Sequence, residues 1–183
     1  MKVGFLSDKN GFRAPLHPDS LQKYDKTQLF VEKDIFKNLD LTANDYKKLK
    51  VLNKTSLKQM DVVCFVDSVD IGVIKTLKPD AGVVGLFDAK TKKEIKKLRP
   101  DVSLYDFFQL PRISRAQNLD ALSSQANLLG YSSVLRASLE TSNVIPVMTT
   151  AAGNISPAKV LILGIGVAGL QAIATAKRLS LIH

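Results

Sequence analysis

Residues 157–179 read PAKVLILGIGVAGLQAIATAKRL. The apolar run 159–163 predicts a strand, Gly164, Gly166 and Gly169 follow as G-x-G-x-x-G, and Leu170, Ile173 and Leu179 at helical spacing predict a helix. Each glycine has its own physical role. Gly164 permits a tight turn, Gly166 lets backbone approach a pyrophosphate, and Gly169 lets helix pack close on strand. A helix that starts there offers unpaired N–H groups and a partial positive charge to phosphate. A membrane span is the competing explanation for so apolar a run. Its uncharged length from Val160 to Ala176 falls short of the roughly 20 residues a span needs, and Lys159, Lys177 and Arg178 bound it. A dinucleotide fingerprint also calls for an acidic residue about 20 positions further on. The sequence ends LSLIH, in which Leu181 and Ile182 read as the stub of a next strand. One strand and one helix cannot bury their own apolar faces, so the expectation is a nucleotide domain begun and not finished.

Working back from this stretch, short apolar runs rich in β-branched or aromatic residues alternate with helical patterns. The runs are KVGFLS (2–7), QLFVEK (28–33), DVVCFV (61–66), AGVVGLF (81–87) and VSLYDFF (102–108), as buried parallel strands require. Helices are expected over 16–23, over 42–49 behind a Thr cap, and over 70–77 and 89–98, the last two ending before Pro79 and Pro100. Such alternation predicts an α/β fold, a mainly parallel sheet with helices on both faces. The expected division is residues 1–123 as the first α/β domain, and 124–183 as a connecting helix plus the first β-α unit of a second domain.

The longest helical pattern lies in PRISRAQNLDALSSQANLLGY, residues 111–131. Leu119, Leu122, Ala126 and Leu129 recur at helical spacing as a buried stripe, while Gln117, Asp120, Ser124, Asn127 and Tyr131 form a polar one. Ser114 and Gln117 fit an S-x-x-Q capping box, with Arg112 just ahead of the helix start. On the residues alone, this polar face is either a capped helix meeting water or a ligand-facing surface.

Composition limits the chemistry further. The single Cys64 cannot form an internal disulfide and sits in an apolar run, as a small buried hydrophobe in a reducing compartment would. MKVGFLSDKN has too short an apolar run for a signal peptide. The net charge of +9 is densest in AKTKKEIKKLRP, where Lys92, Lys93, Lys96, Lys97 and Arg99 surround Ile95 and Leu98. No aromatic residue is interleaved to stack bases, so a solvated helix face is expected and no nucleic-acid partner. The only histidines are His17 and His183, and no metal-ligand cluster or Ser-His-Asp set is visible.

PRISRAQNLDALSSQANLLGY, followed by MTTAAGNISPAKVLILGIGVAGLQAIATAKRL, resembles the alpha subunit, the NAD(H)-binding component, of proton-translocating NAD(P) transhydrogenases of the alanine dehydrogenase/pyridine nucleotide transhydrogenase family. The likeness is dense from Pro111 to Leu179 and looser but collinear before it. It implies two Rossmann-like domains, the second an incomplete NAD-binding one here, with NAD(H) in the cleft and NADP(H) on a separate component. It further implies hydride transfer between the two nicotinamides, coupled to proton movement by a membrane-spanning component. Implied as well are a homodimer, a cytoplasmic location peripheral to the inner membrane through partner subunits, and possible completion of the second domain by a C-terminal polypeptide. By the same resemblance, Arg112, Gln117 and Asp120 position the nicotinamide, Ser123 helps hold its carboxamide, and Tyr131 lies further along the helix. Gly164, Gly166, Val167, Ala168 and Gly169 would hold the pyrophosphate. Hydride transfer needs alignment rather than an acid or base on the protein, which suits guanidinium, amide and carboxylate groups.

Alanine dehydrogenases are the nearest enzyme alternative. They use a lysine and a histidine that VVCFVDS (62–68) and GLFDAKT (85–91) lack at the corresponding positions, and only Arg13 survives from their substrate site. Two readings stay open: the N-terminal piece of a split transhydrogenase subunit, inactive alone, or a non-catalytic remnant with weak dinucleotide affinity.

Overall fold

The structure is a computed structural model that describes residues 1–7, 13–24, 28–33, 35–36, 49–66 and 70–180. These form two compact units, Met1–Leu110 and Pro111–His183.

The first unit is built on six parallel strands: β1 (Lys2–Phe5), β2 (Gln28–Glu32), β3 (Lys50–Leu52), β4 (Val62–Cys64), β5 (Gly82–Gly85) and β6 (Ser103–Asp106). Their order is β3-β2-β1-β4-β5-β6, so the chain winds outward from β1 in one direction and then returns to wind outward in the other. This is the doubly wound order of a Rossmann-like sheet. Successive residues of each strand face opposite sides. On one side Val3, Phe5, Leu29, Val31 and Ile35 form one core, and on the other Phe30, Met60, Val63, Phe65, Val83 and Ile95 form a second. Burial on both sides is why the strands read as continuous apolar runs rather than alternating ones.

The helices of this unit are α1 (Lys54–Leu57), α2 (Ile71–Thr76) and α3 (Ala89–Leu98). Asp70 caps α2 by accepting from the Gly72 N–H at 2.7 Å, and Asp88 caps α3 by accepting from the Thr91 N–H at 2.6 Å. The lysine-rich α3 buries Ile95 fully and leaves Leu98 38% exposed, so the apolar stripe is narrower than its spacing suggests. Arg99, just past α3, ties two helix ends together. Its guanidinium donates to the carbonyls of Ile74 (3.0 Å), Leu77 (2.9 Å) and Lys78 (3.1 Å) at the end of α2, and to the Asp101 carboxylate (2.6 Å). At the end of β6, Asp106 is buried and pairs with the Lys92 ammonium, while Oδ1 accepts from the Phe87 and Phe108 N–H groups.

Two expectations here need correction. Residues 16–23 do not form an α-helix: Pro18–Tyr24 is a 3-10 helix, too short a stretch to repay α-helix nucleation. The short pair β3 and α1 has little periodic signal. Asn53 and Ser56 nevertheless cap each other reciprocally, at 2.8 and 2.7 Å. The helix expected over 42–49 lies outside the described residues except for Leu49, as do Leu181 and Ile182.

The second unit contains α4 (Ala121–Glu140), a hairpin of β7 (Met148–Thr150) and β8 (Gly153–Ile155), and α5 (Val167–Ser180). Helices α4 and α5 pack together around Val134, Ile145 and Ala172, with Ile162, Ala176 and Leu179 against them. The strand expected over 159–163 is not formed. A strand exists only through partners for its N–H and C=O groups, and no described residue pairs with this segment. Ile162 turns into the small core while Leu161 and Leu163 are 83% and 89% exposed.

Candidate functional site

Pro111 opens an irregular approach that ends in a 3-10 helix, Ser114–Leu119. Asp120 then breaks the helical run and starts α4. The capping box expected from Ser114 and Gln117 is absent, because Ile113 is the cap residue of the 3-10 helix and no side chain caps it. The cap belongs to Asp120 instead. Its Oδ1 accepts from the Ser123 N–H at 2.9 Å and its Oδ2 from the Ser123 hydroxyl at 2.6 Å. Its backbone carbonyl accepts from the Ser124 N–H at 3.2 Å and hydroxyl at 3.0 Å. The stripe of Leu119 and Leu129 is not buried either, since both are about 60% exposed. The break at Asp120 takes Leu119 off the face of α4, and on α4 itself the inward line runs through Gly130 and Val134 rather than Leu129. Gly130 and Val134 are the fully buried positions of α4, with Leu122 and Ala126 half-buried.

This break shapes a concavity of about 370 Å³ lined by Arg112, Gln117, Asp120, Ser123 and, from the start of α5, Val167. Five of the residues expected at the site therefore line one cavity. Tyr131 is not among them, and it is 49% exposed further along α4. The Asp120 carboxyl is held below the ordinary carboxylate range by the Ser123 hydroxyl and then the Ser123 N–H, which outweigh desolvation, with a lesser contribution from the nearby Arg112 charge. An ionised carboxylate has about four acceptor positions. Asp120 uses two on its own helix and keeps acceptor capacity toward the cavity. Arg112 supplies donors and Gln117 both donors and an acceptor, so the lining can hold a polar, planar group in one orientation.

The glycine turn leads into α5. Gly164 has φ +100°, a conformation that L side chains rarely adopt. A methyl group on Gly169 would collide with the Gly164 carbonyl, the carbon of which would lie only 2.9 Å away. Turn and helix thus meet backbone to backbone. Beside Gly166 there is open space. Val167, Ala168 and Gly169 form the first turn of α5, which carries no acidic residue, and the first N–H groups of a helix have no partner within it. The free donors and the open flank fit a phosphate group.

One participant was missed by sequence reasoning. Gly130 lies buried in the middle of α4, where a methyl group would run into the carbonyl of Ala168 and stand 2.9 Å from its carbon. A glycine inside a strong helical pattern was the available signal. Among the described residues, no group of His, Cys, Asp and Glu is placed to hold a metal ion, and no helix is long and apolar enough to cross a membrane.

Residues 133–182 match the family model described as alanine dehydrogenase/PNT, C-terminal domain. The chain is 53% identical over 104 residues to a Rickettsia prowazekii (strain Madrid E) protein named as the first part of NAD(P) transhydrogenase subunit alpha, a match covering 56% of this chain and 27% of that protein. It is 52% identical over 92 residues to the protein of the same name from Rhodospirillum rubrum, covering 50% and 22%. In structure it resembles the crystal structure of transhydrogenase from Sinorhizobium meliloti, with a TM-score of 0.90 and 32% identity over 98% of this chain and 57% of that one. An L-alanine dehydrogenase shares the fold at a TM-score of 0.75 and 19% identity. The matched segments span about a quarter of the curated relatives.

Proposed function

From its similarity to NAD(P) transhydrogenase subunit alpha in sequence and to a solved transhydrogenase in fold, we propose that this chain is the NAD(H)-binding N-terminal part of a proton-translocating transhydrogenase. The observation that carries the proposal is the single cavity shared by Arg112, Gln117, Asp120, Ser123 and Val167. NADH, when bound, supplies the hydride. The chain's own residues orient it: Arg112, Gln117 and Asp120 fix the nicotinamide, Ser123 contributes to its carboxamide, and Tyr131 flanks the same helix. The first turn of α5, with Gly164, Gly166, Val167, Ala168 and Gly169, receives the pyrophosphate. Because transfer between two nicotinamides depends on alignment, fixed polar groups suffice.

In this proposal NADP(H) is held by a partner component, and a membrane-spanning component couples the transfer to proton movement. Any contact of this chain with the cytoplasmic face of the inner membrane is indirect, and the assembly is a homodimer. Functionally, residues 1–123 act as the first domain and 124–183 as the start of the nucleotide domain. The exposed side chains of Leu161, Leu163 and Ile165 support completion of that domain by further sequence, in the same or in a second polypeptide.

Titrating NADH fluorescence against the 183-residue chain, and assaying reduction of an NADP analogue with and without added NADP-binding component, tests the proposal. Weak NADH binding with no turnover by the chain alone is expected. Robust turnover alone would overturn the incomplete-domain account, and no detectable NADH binding would overturn the assignment of the site.

A further inference from the structure

We infer that Gly130 is a positioning residue that sets the spacing between the nicotinamide cavity and the pyrophosphate-binding turn. The inference rests on the function proposed above and adds a residue that touches neither end of the ligand. Helix α4 carries the cavity at its first turn, through Asp120 and Ser123. Helix α5 carries the phosphate donors at its own first turn, beginning at Val167. The two helices meet where Gly130, buried on α4, lies against the backbone of Ala168, with no room for even a methyl group. Val167, the neighbour of Ala168, lines the cavity itself.

Glycine at a helix centre is intrinsically less favourable than alanine, so close approach is the compensating feature here. A methyl at 130 would push the start of α5 away from α4, because its obstacle is a backbone carbonyl that cannot rotate aside. The pyrophosphate turn would survive this displacement intact, as would the Arg112, Gln117, Asp120 and Ser123 side of the cavity, while Val167 would move with α5. What changes is the distance between them. A ligand that spans both halves must then strain or release one of them, whereas a fragment that occupies one half is indifferent to the spacing.

The experiment compares NADH with ADP, which carries the pyrophosphate but no nicotinamide, binding to the wild-type chain and to Gly130→Ala, with circular dichroism as the check on folding. NADH affinity is expected to fall by about tenfold or more, in keeping with the sensitivity of aligned sites to displacements near 1 Å, while ADP affinity is unchanged. Equal losses for both ligands would show a merely structural role and overturn the inference, as would no loss for either. If Gly130→Ala does not fold, Val134→Ile carries the same test. It enlarges a buried contact one turn further along α4, in the core shared with Ala172 of α5. Should the wild-type chain bind ADP but gain nothing from the nicotinamide half, the function proposed above fails first, and that outcome is recognisable without any variant.

Discussion

At the scale of single residues, Asp120 has two uses that pH separates. Its folded carboxyl lies below the ordinary value because Ser123 and then Arg112 favour the charged form. The stabilisation it gives is therefore fully present above the unfolded carboxyl value and is lost as pH falls through the folded one. Denaturant titrations of wild type and Asp120→Asn across acid pH should show a stability gap at neutrality that closes at the acid end. A gap independent of pH would mean that the carboxylate is not what caps α4. Gly169 makes a different kind of demand. Gly169→Ala forces a methyl group onto the Gly164 carbonyl, and overpacking of this kind costs about 1–3 kcal/mol. Thermal unfolding followed by helix signal should report that loss, and an unchanged midpoint would contradict the backbone-to-backbone contact.

At the scale of elements, Arg99 shows how a side chain outside a helix can hold one in place. It satisfies carbonyls at the end of α2 that the helix itself leaves open. Arg99→Ala should destabilise the first unit by about 1.5–3 kcal/mol, the range for hydrogen bonds to a charged group. Arg99→Lys should recover only part of this, since an ammonium cannot reproduce the planar fork. Equal stability of the lysine variant and wild type in urea denaturation would argue against the fork. The same elements show what was legible in the sequence. All five strands expected in residues 1–110 are present, and helix 89–98 has its expected bounds, because period, length and flanking prolines agree there. Asp120 lines a cavity that the sequence could not draw, since a concavity depends on where the helical run breaks. Its role as a cap was hidden by Ser114 and Gln117, which match a capping pattern one helical segment too early. Strand 159–163 failed for another reason: apolar composition describes a side chain's preference, but a strand is a relation between two segments. The hairpin of β7 and β8 went unnoticed because its turn is signalled only by Gly153, at φ +125°, and its strands are three residues long.

At the scale of the whole molecule, the two units differ in how firmly their backbones are held. The first has strands hydrogen-bonded on both sides over residues such as Val63 and Val83, both 0% exposed. In the second, β7 and β8 are exposed throughout. Hydrogen exchange should find amides of β1, β4 and β5 slowest and those of 148–165 faster by about two orders of magnitude or more, as for segments that open locally. Uniformly strong protection across 148–165 would contradict this. The sheet order also has a consequence for how the chain is made. Strand β1, which precedes the other described strands in sequence, pairs Val3 with Leu29 and also with Val62. One edge of this central strand therefore waits for residues synthesised much later, on the order of several seconds at cellular elongation rates. Throughout that interval Val3, Phe5 and Leu6, buried in the finished fold, are open to other apolar partners, so slow synonymous codons between those for Leu6 and Val62 are expected to lower soluble yield, and an unchanged yield would contradict this.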